Sequence, residues 1–206
     1  MFDNQTGFNQ PIGDWDTSSV TTMEGMFRNC MAFDQPISGW DVSNVETMYN
    51  MFYNGRQSSP TIVEFDQDIG AWDVSKVTTM RQMFFDQYQG LHRFNNGGSD
   101  SIKDWNTSSL TDIRDMFNSR ANPGPFDQPL TNWIVTGITL ANNFLEDQKL
   151  STTNYDLTLS GWAQQSGDLQ AGVSIHFGTS QYSIATGEQY KEILSGAGWT
   201  IVHGGS

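Results

Sequence analysis

Aspartates that recur after tryptophan are the residues whose types and spacing point most directly to chemistry. They stand at Asp16, Asp41 and Asp73, in three consecutive segments of similar sequence. If these segments stack, the carboxylates lie about 5 Å apart and repel one another unless they are hydrated, hydrogen-bonded or bridged by a cation. One interpretation is a calcium ladder; the other is an Asx turn, in which each carboxylate accepts backbone N–H groups two or three residues on. We expect the Asx turn, and no cofactor, because no segment carries a dense Asp-x-Asp-x-Asp or glycine-rich calcium loop.

Other groups that could do chemistry are scattered. His92, His176 and His203 lie too far apart in sequence to propose a metal site, and we expect His176 to be a half-exposed strand residue. The single cysteine, Cys30, is interpreted as a small buried apolar residue. There is no Gly-x-Ser-x-Gly, phosphate loop or His-Glu-x-x-His motif. The sequence therefore predicts a protein that is not an enzyme, and a glycan-acting site built from loop carboxylates is the enzymatic alternative.

The charge balance restricts the class of partner. The chain of 206 residues has 23 acidic and 10 basic side chains and a net charge of -13. Phosphates would be repelled over most of such a surface, which argues against nucleic acid and against an anionic membrane. The sequence also shows no signal peptide and no apolar run long enough to cross a bilayer.

A repeat organises most of the chain. Five units align on their tryptophans, which lie 25, 32, 33 and 28 residues apart. Apolar residues recur three positions before each tryptophan and five, eight, eleven and twelve positions after it, and the last two are usually a Met-Phe pair. We expect these residues, and the tryptophans themselves, to form the core; exposed tryptophan rings that bind sugars are the alternative. The aligned tryptophans are Trp15, Trp40, Trp72, Trp105 and Trp133.

Each unit is predicted to contain one short strand and one or two helical turns. In the second unit the strand would end near Trp40, and Val45, Met48 and Met51 follow at the three-residue steps typical of a helix, with Ser43 as its cap. Because one unit cannot bury its own apolar stripe, the units must stack over residues 1–145. Residues 146–206 do not repeat and are predicted to form a capping helix–strand–helix–strand segment, with the first helix capped at Ser151.

The first three units resemble a known family. Their shared pattern, F-[ND]-Q-x-I-x-x-W-D-x-S-x-V-x-x-M-x-x-M-F, is similar to that of the Mycoplasma-lipoprotein-type repeat family, the BspA-like leucine-rich-repeat surface proteins. The resemblance implies an α/β repeat, a leucine-rich-repeat-like right-handed solenoid with short parallel strands and short helical turns. It also implies an extracellular, cell-surface or virion-surface location and adhesion or partner binding without catalysis. The fourth unit departs from the pattern at Asn106 and Ile113, and the fifth has Ile134 after its tryptophan.

Loops of varying length between the units are where we expect binding. They follow the Met-Phe pairs and carry tyrosine, arginine and histidine, and tyrosine and arginine are enriched in binding hot spots. The predicted function is a non-catalytic recognition or adhesion module that binds glycan or protein through these loops and one face of the stack. The candidate contact residues are Tyr53, Arg56, Tyr88, His92, Arg93 and Arg120.

The N-terminal end suggests the alternative function. Met1 and Phe2 correspond to the Met-Phe pair of a preceding unit, so the first complete unit has no predicted cap. Either the sequence is a piece of a longer protein, which we favour, or the first unit exposes a sheet edge that another chain covers. In the second case the protein is a structural subunit of a virion, filament or surface layer that assembles end to end through this repeat.

Overall fold

The computed structural model describes residues 1–55, 62–87, 91–120 and 124–204. Two-residue strands β1 and β2 and two short 3₁₀ helices lie within the repeats, and both α-helices lie near the C-terminus. In chain order the elements are β1 (Ile62–Val63), β2 (Leu91–His92), the 3₁₀ helices Asn96–Gly98 and Ser101–Asp104, α1 (Thr152–Ala163), β3 (Ser174–His176), α2 (Gly187–Gly196) and β4 (Thr200–Val202).

The prediction of an α/β leucine-rich-repeat-like solenoid is wrong. In the described residues the sheets have only two strands each, β1 with β2 and β3 with β4, and both pairs are parallel. No α-helix occurs in the described residues before α1. From Phe33 to Phe52 the second unit consists of turns and irregular backbone, with one bridging residue at Thr47. The predicted strand, helical turn and Ser43 helix cap are therefore absent from this unit.

Consecutive turns explain why the helical prediction failed. The N–H of Val45 donates to the Val42 carbonyl at 2.9 Å, and the N–H of Met51 donates to the Met48 carbonyl at 3.1 Å. Such turns place residues three positions apart on one side, so a three-residue spacing does not distinguish them from a helix. Within the second of these turns Asn50 has a φ of 57°, the left-handed conformation that ends any right-handed helix. The same position is left-handed in all five units, at Gly25, Asn50, Gln82, Asp115 and Asn143.

Backbone hydrogen bonds join consecutive units in register. A column of parallel bridges joins each unit to the next and runs through Thr22, Thr47, Thr79, Asp112 and Leu140. Around Thr47, the N–H groups of Met48 and Asn50 donate to the carbonyls of Thr79 and Arg81, at 3.0 and 3.1 Å. The same alternate pairing continues past the left-handed Asn50, since the N–H of Phe52 donates to the Met83 carbonyl at 2.9 Å. Even so, this pairing gives isolated bridges rather than a continuous sheet.

Stacked aromatic rings form the core between the units. Phe27, Phe52, Phe84 and Phe117 lie in one column with ring centroids 5.4 to 5.5 Å apart. All four are buried, which confirms the core prediction for the phenylalanines of these Met-Phe pairs. Met26, the methionine of the first pair, is only half-buried. Cys30 is also buried as predicted, and its thiol donates a hydrogen bond to the Phe2 carbonyl at 2.8 Å.

The C-terminal elements occur in the predicted order of helix, strand, helix and strand. Ser151 caps α1 by accepting a hydrogen bond from the N–H of Asn154 at 3.4 Å, and the helix buries Tyr155, Leu159 and Trp162. α2 ends at Gly196, and Thr186 precedes it without capping it by its side chain. His176 is half-buried in β3, as predicted. The division of the chain at residue 145 stays a prediction.

Candidate binding surface

Three consecutive units contribute side chains to one cluster, formed by residues that follow their Met-Phe pairs. The Tyr53 and Phe85 rings have centroids 5.6 Å apart, and the guanidinium carbon of Arg120 lies 5.5 Å from the centroid of the Phe85 ring. The Tyr53 hydroxyl donates a hydrogen bond to Oε1 of Gln87. We call Tyr53, Phe85, Gln87 and Arg120 the loop-edge cluster. It combines a half-buried tyrosine and an exposed arginine above a buried phenylalanine.

Buried polar residues hold the cluster in place. Asn54 and Asp86, which follow Tyr53 and Phe85, form a parallel bridge, and the Asn54 side-chain amide donates to the Asp86 carboxylate at 3.1 Å. Both residues are fully enclosed, so the bond between them is protected from water. The N–H of Gln87 also donates to the Asn54 carbonyl at 2.9 Å. The base of the cluster is therefore rigid although its residues adjoin loops.

His92 does not lie on this surface. It was predicted as a loop contact, but only 3% of it is exposed, and its Nε2 lies 3.2 Å from the Phe52 carbonyl oxygen. Its ring also meets the Phe84 ring edge-on at 5.5 Å. Burial lowers the pKa of His92 to about 4, so the imidazole is neutral near pH 7. The segment after the third unit folds back on the core, which its loop-like sequence did not indicate.

The other predicted contact residues do not join the loop-edge cluster in the described part of the chain. Arg93 is exposed, and its guanidinium forms an ion pair with Glu64 at 3.2 Å. This pair adjoins the short sheet of β1 and β2, in which the N–H of Arg93 donates to the Val63 carbonyl. Arg56 and Tyr88 lie outside the described residues. Of the six predicted residues, the structure brings Tyr53 and Arg120 together through Phe85.

The aspartates after tryptophan form Asx turns. One carboxylate oxygen of Asp16, Asp41 and Asp73 accepts the N–H two residues on, at 3.1, 3.0 and 3.1 Å. The hydroxyl of Ser18 also donates to Asp16 at 2.6 Å, and this bond is the largest cause of the lowered pKa of that carboxyl group. Asn106 makes the same turn in the fourth unit, so the position does not require a charge. All three carboxylates are exposed.

The described ranges lack two features that would indicate other chemistry. They contain no group of three or more histidine, cysteine, aspartate or glutamate side chains placed to hold a metal ion. Nor do they include a helix with the length and apolar character needed to cross a bilayer.

The tryptophans are buried, with one exception. Trp40, Trp72, Trp105 and Trp133 are at most 3% exposed, whereas Trp15 is 42% exposed. Each buried indole N–H donates to a carbonyl of the preceding unit, as in the 3.0 Å bond from Trp72 to Ile37. The core interpretation is thus confirmed for the second to fifth units.

Sequence reasoning missed Phe85 and Gln87. A usable signal existed, because Tyr53 and Phe85 both stand thirteen residues after their tryptophans, one position beyond the Met-Phe pair. Aligning that position would have placed two aromatic residues next to each other in consecutive units. Gln87 has no counterpart of this kind and becomes recognisable only from its hydrogen bond.

A comparison with protein-family models identifies the repeat. The family described as Mycoplasma protein of unknown function, DUF285, matches residues 1–62 and 57–170. The chain belongs to this family. The matched ranges contain all five tryptophan-aligned units and every residue of the loop-edge cluster. No curated protein and no solved structure matches the chain.

Proposed function

We propose that this DUF285 protein is a non-catalytic recognition module that binds another protein through the loop-edge cluster. The observation that carries the proposal is the contact of Tyr53, Phe85 and Arg120 across three units. Aromatic and arginine side chains that share one surface are the composition of protein-binding hot spots. In a protein with a net charge of -13, an exposed arginine also gives this edge a local charge that an acidic partner group can pair with.

A protein partner fits this surface better than a glycan. Sugar-binding sites use a flat aromatic ring exposed to solvent, but the four tryptophans of the second to fifth units are buried. In the cluster, the Phe85 ring lies beneath Tyr53 and Arg120 and is itself only 3% exposed. The edge therefore offers an amphipathic rim rather than a stacking platform.

The absence of catalysis is part of the proposal. The recurrent carboxylates of Asp16, Asp41 and Asp73 are engaged in turns, where each accepts a backbone N–H. His92, the predicted loop histidine, is enclosed in the core. A catalytic acid–base pair needs side chains that are free to exchange protons with a substrate, and these engagements argue against that role.

The location that we propose is a cell or virion surface, as in the BspA-like surface repeat proteins. This assignment rests on the resemblance of the repeat pattern and on membership of a Mycoplasma-associated family. The alternative function, as a structural subunit of a virion, filament or surface layer, remains a prediction.

Binding of the purified protein to intact cells tests the proposal. Cells are treated with protease, with periodate to oxidise glycans, or with neither, and bound protein is measured over a concentration series. A protein partner predicts saturable binding that protease abolishes and periodate leaves unchanged. Loss of binding after periodate alone would favour a glycan, and no saturable binding to any cell would contradict recognition.

Repeating the cell-binding experiment with a chelator tests whether binding depends on calcium. Because the Asx turns are complete without a cation, binding should be the same with and without chelator. Binding that disappears with chelator and returns with calcium would instead assign the exposed aspartates to a calcium ladder.

A further inference from the structure

Arg81 is a half-buried arginine without an acidic partner in the described part of the chain. Its guanidinium carbon lies 5.5 Å from the centroid of the Tyr49 ring, and its Nε is enclosed with no hydrogen-bond acceptor there. Three other described arginines form ion pairs with carboxylates, namely Arg28, Arg93 and Arg114. Arg81 therefore keeps an uncompensated positive charge in a protein whose net charge is -13.

The environment of Arg81 repeats that of Arg120 in the loop-edge cluster. The guanidinium carbon of Arg120 also lies 5.5 Å from an aromatic centroid, that of Phe85, and the described ranges give it no ion pair either. In both cases the ring belongs to the unit before the arginine. A ring beneath a guanidinium attracts its charge and restricts its orientation, while the edge of the guanidinium can still donate hydrogen bonds. Both arginines are thus oriented without being neutralised.

Backbone pairing between the second and third units connects the two contacts. The N–H of Asn50, the residue after Tyr49, donates to the Arg81 carbonyl at 3.1 Å. Further along the same units, the N–H of Asn54 donates to the Phe85 carbonyl at 2.9 Å. One paired segment therefore carries both arginine–ring contacts.

The two tyrosines of the second unit lie on the same side of this segment. The pKa of Arg28 is raised, and its hydrogen bond to Asp3 is the largest cause. Tyr53 and Tyr49 raise it further, and electrostatic effects weaken with distance, so both tyrosines lie near this one guanidinium. The Arg81 contact on Tyr49 and the loop-edge cluster, which contains Tyr53, therefore belong to one surface.

The accessible part of Arg81 selects the chemistry of a ligand. Because its Nε is enclosed, a ligand can reach only the edge formed by the two Nη groups. Two parallel N–H donors match the two oxygens of a carboxylate. A dense polyanion would be repelled by the rest of a protein with a net charge of -13, whereas single carboxylates that each meet an arginine avoid most of this repulsion.

We propose that Arg81 is a second recognition residue and that it binds an acidic polypeptide segment of the partner. One carboxylate of the segment would pair with Arg81 and another with Arg120, while apolar side chains between them contact Tyr49 and Tyr53. This inference rests on the proposed function, because it names the chemistry of the partner that the same surface recognises.

Side-chain NMR of the wild-type chain tests the proposal with a defined probe. The probe is a synthetic peptide of glycine, serine and tyrosine with two glutamates, made as a panel in which the separation of the glutamates increases. Control peptides have glutamine in place of glutamate. In ¹⁵N spectra, the Arg81 Nε–H signal, assigned with Arg81→Lys, should shift saturably with an acidic peptide and not with the glutamine peptides. The signal of Arg93, which is already paired with Glu64, should stay unchanged.

Three results of this titration would overturn the proposal. The first is an Arg81 signal that no acidic peptide of the panel shifts. The second is an equal shift of Arg81 and Arg93, which would show unspecific attraction to positive charge. The third is a larger shift with inorganic phosphate at matched ionic strength, which would assign the site to phosphate groups instead of carboxylates.

Substitutions measure how much Arg81 contributes to binding of the tightest acidic peptide. Arg81→Gln should weaken this binding roughly tenfold, because it removes a charge that pairs with a carboxylate. Arg81→Lys should restore only part of the affinity, since lysine keeps the charge but not the two-donor edge. Arg93→Gln removes the same charge elsewhere and should bind like the wild type. Equal affinities of Arg81→Gln and the wild type would contradict the assignment.

Binding to cells distinguishes failure of this inference from failure of the proposed function. Arg81→Gln should reduce saturable cell binding, as Arg120→Glu should. If Arg120→Glu loses cell binding and Arg81→Gln keeps it, recognition through the loop-edge cluster stands and the acidic segment is excluded. If the wild type binds no cells, the proposed function is contradicted, and the peptide titration still decides whether Arg81 binds a carboxylate.

Discussion

His92 is the residue whose environment has the clearest consequence for pH. Its pKa is lowered to about 4 because it is buried, and in the unfolded chain it returns to its ordinary value near 6.5. Below pH 6.5 the unfolded state therefore binds a proton that the folded state does not, and the free energy of unfolding falls as pH falls.

We predict that His92→Phe removes this pH dependence. Between pH 7 and pH 5 the wild type should lose about 1–2 kcal/mol more stability than the variant does, measured by urea unfolding at each pH. His176 and His203 remain in both proteins and serve as an internal control. Parallel stability curves for the two proteins would show that His92 is not buried in neutral form.

Gln82 has a backbone conformation that its side chain does not favour. Its φ is 56°, and its counterpart in the first complete unit is Gly25. The left-handed conformation costs an L-residue about 1–2 kcal/mol, which glycine avoids, although glycine loses part of that gain through its flexibility in the unfolded state.

Gln82→Gly should therefore raise the free energy of unfolding by about 0.5–1 kcal/mol. Gln82→Ala is the matched control, since it removes the side chain but keeps the conformational cost, and it should not be stabilising. Chemical denaturation of the three proteins measures both effects. If the glycine variant proved less stable than the alanine variant, the left-handed turn at this position would be contradicted.

At the scale of the elements, the phenylalanine column holds neighbouring units together. Phe52 stacks on Phe27 and Phe84 at 5.4 Å and on Phe65 at 4.1 Å. Phe52→Ala should destabilise the protein by about 3–5 kcal/mol, because it leaves a cavity shared by three units. Thermal and urea unfolding check this value against Ile184→Ala, an exposed position where no change is expected. An unchanged midpoint for Phe52→Ala would exclude it from the core.

Tryptophan indoles connect each unit to the one before it. Trp72→Phe keeps a large ring but leaves the buried Ile37 carbonyl without this donor, and it should cost about 1–3 kcal/mol. Trp15→Phe makes the same chemical change where the indole has no acceptor within the described ranges, so its effect should stay within about 0.5 kcal/mol. Equal losses in the two variants would contradict the role assigned to the indole hydrogen bonds.

The positions of the buried apolar residues in each unit could be predicted from the sequence, but the secondary structure of the units could not. Aligning the tryptophans identified the buried residues at Ile37, Trp40, Val45 and Phe52, because burial depends on the type and position of a side chain. The conformation between them depends on a left-handed residue such as Asn50. Asparagine, glutamine and aspartate at this position indicate a left-handed turn less clearly than glycine does. In α1, by contrast, the cap and the apolar stripe agree, and the helix was predicted correctly.

At the scale of the whole molecule, regular pairing of the units brings residues that follow the Met-Phe pairs to one edge. The candidate surface there was only partly predictable, because contacts such as that of Tyr53 with Phe85 join units that are separated by segments of unequal length. Charge composition is a property of the whole chain and could not distinguish the two exposed arginines. Arg120 packs on the cluster, whereas Arg93 pairs with Glu64.

The loop-edge cluster is tested most directly by reversing its exposed charge. Arg120→Glu should reduce saturable binding to cells by roughly tenfold or more, because a hot-spot arginine contributes about 2 kcal/mol or more. Lys76→Glu makes the same charge change at an exposed Asx turn of the third unit and should bind like the wild type. Unfolding midpoints of both variants should match the wild type. Equal binding by all three proteins would contradict recognition through this edge.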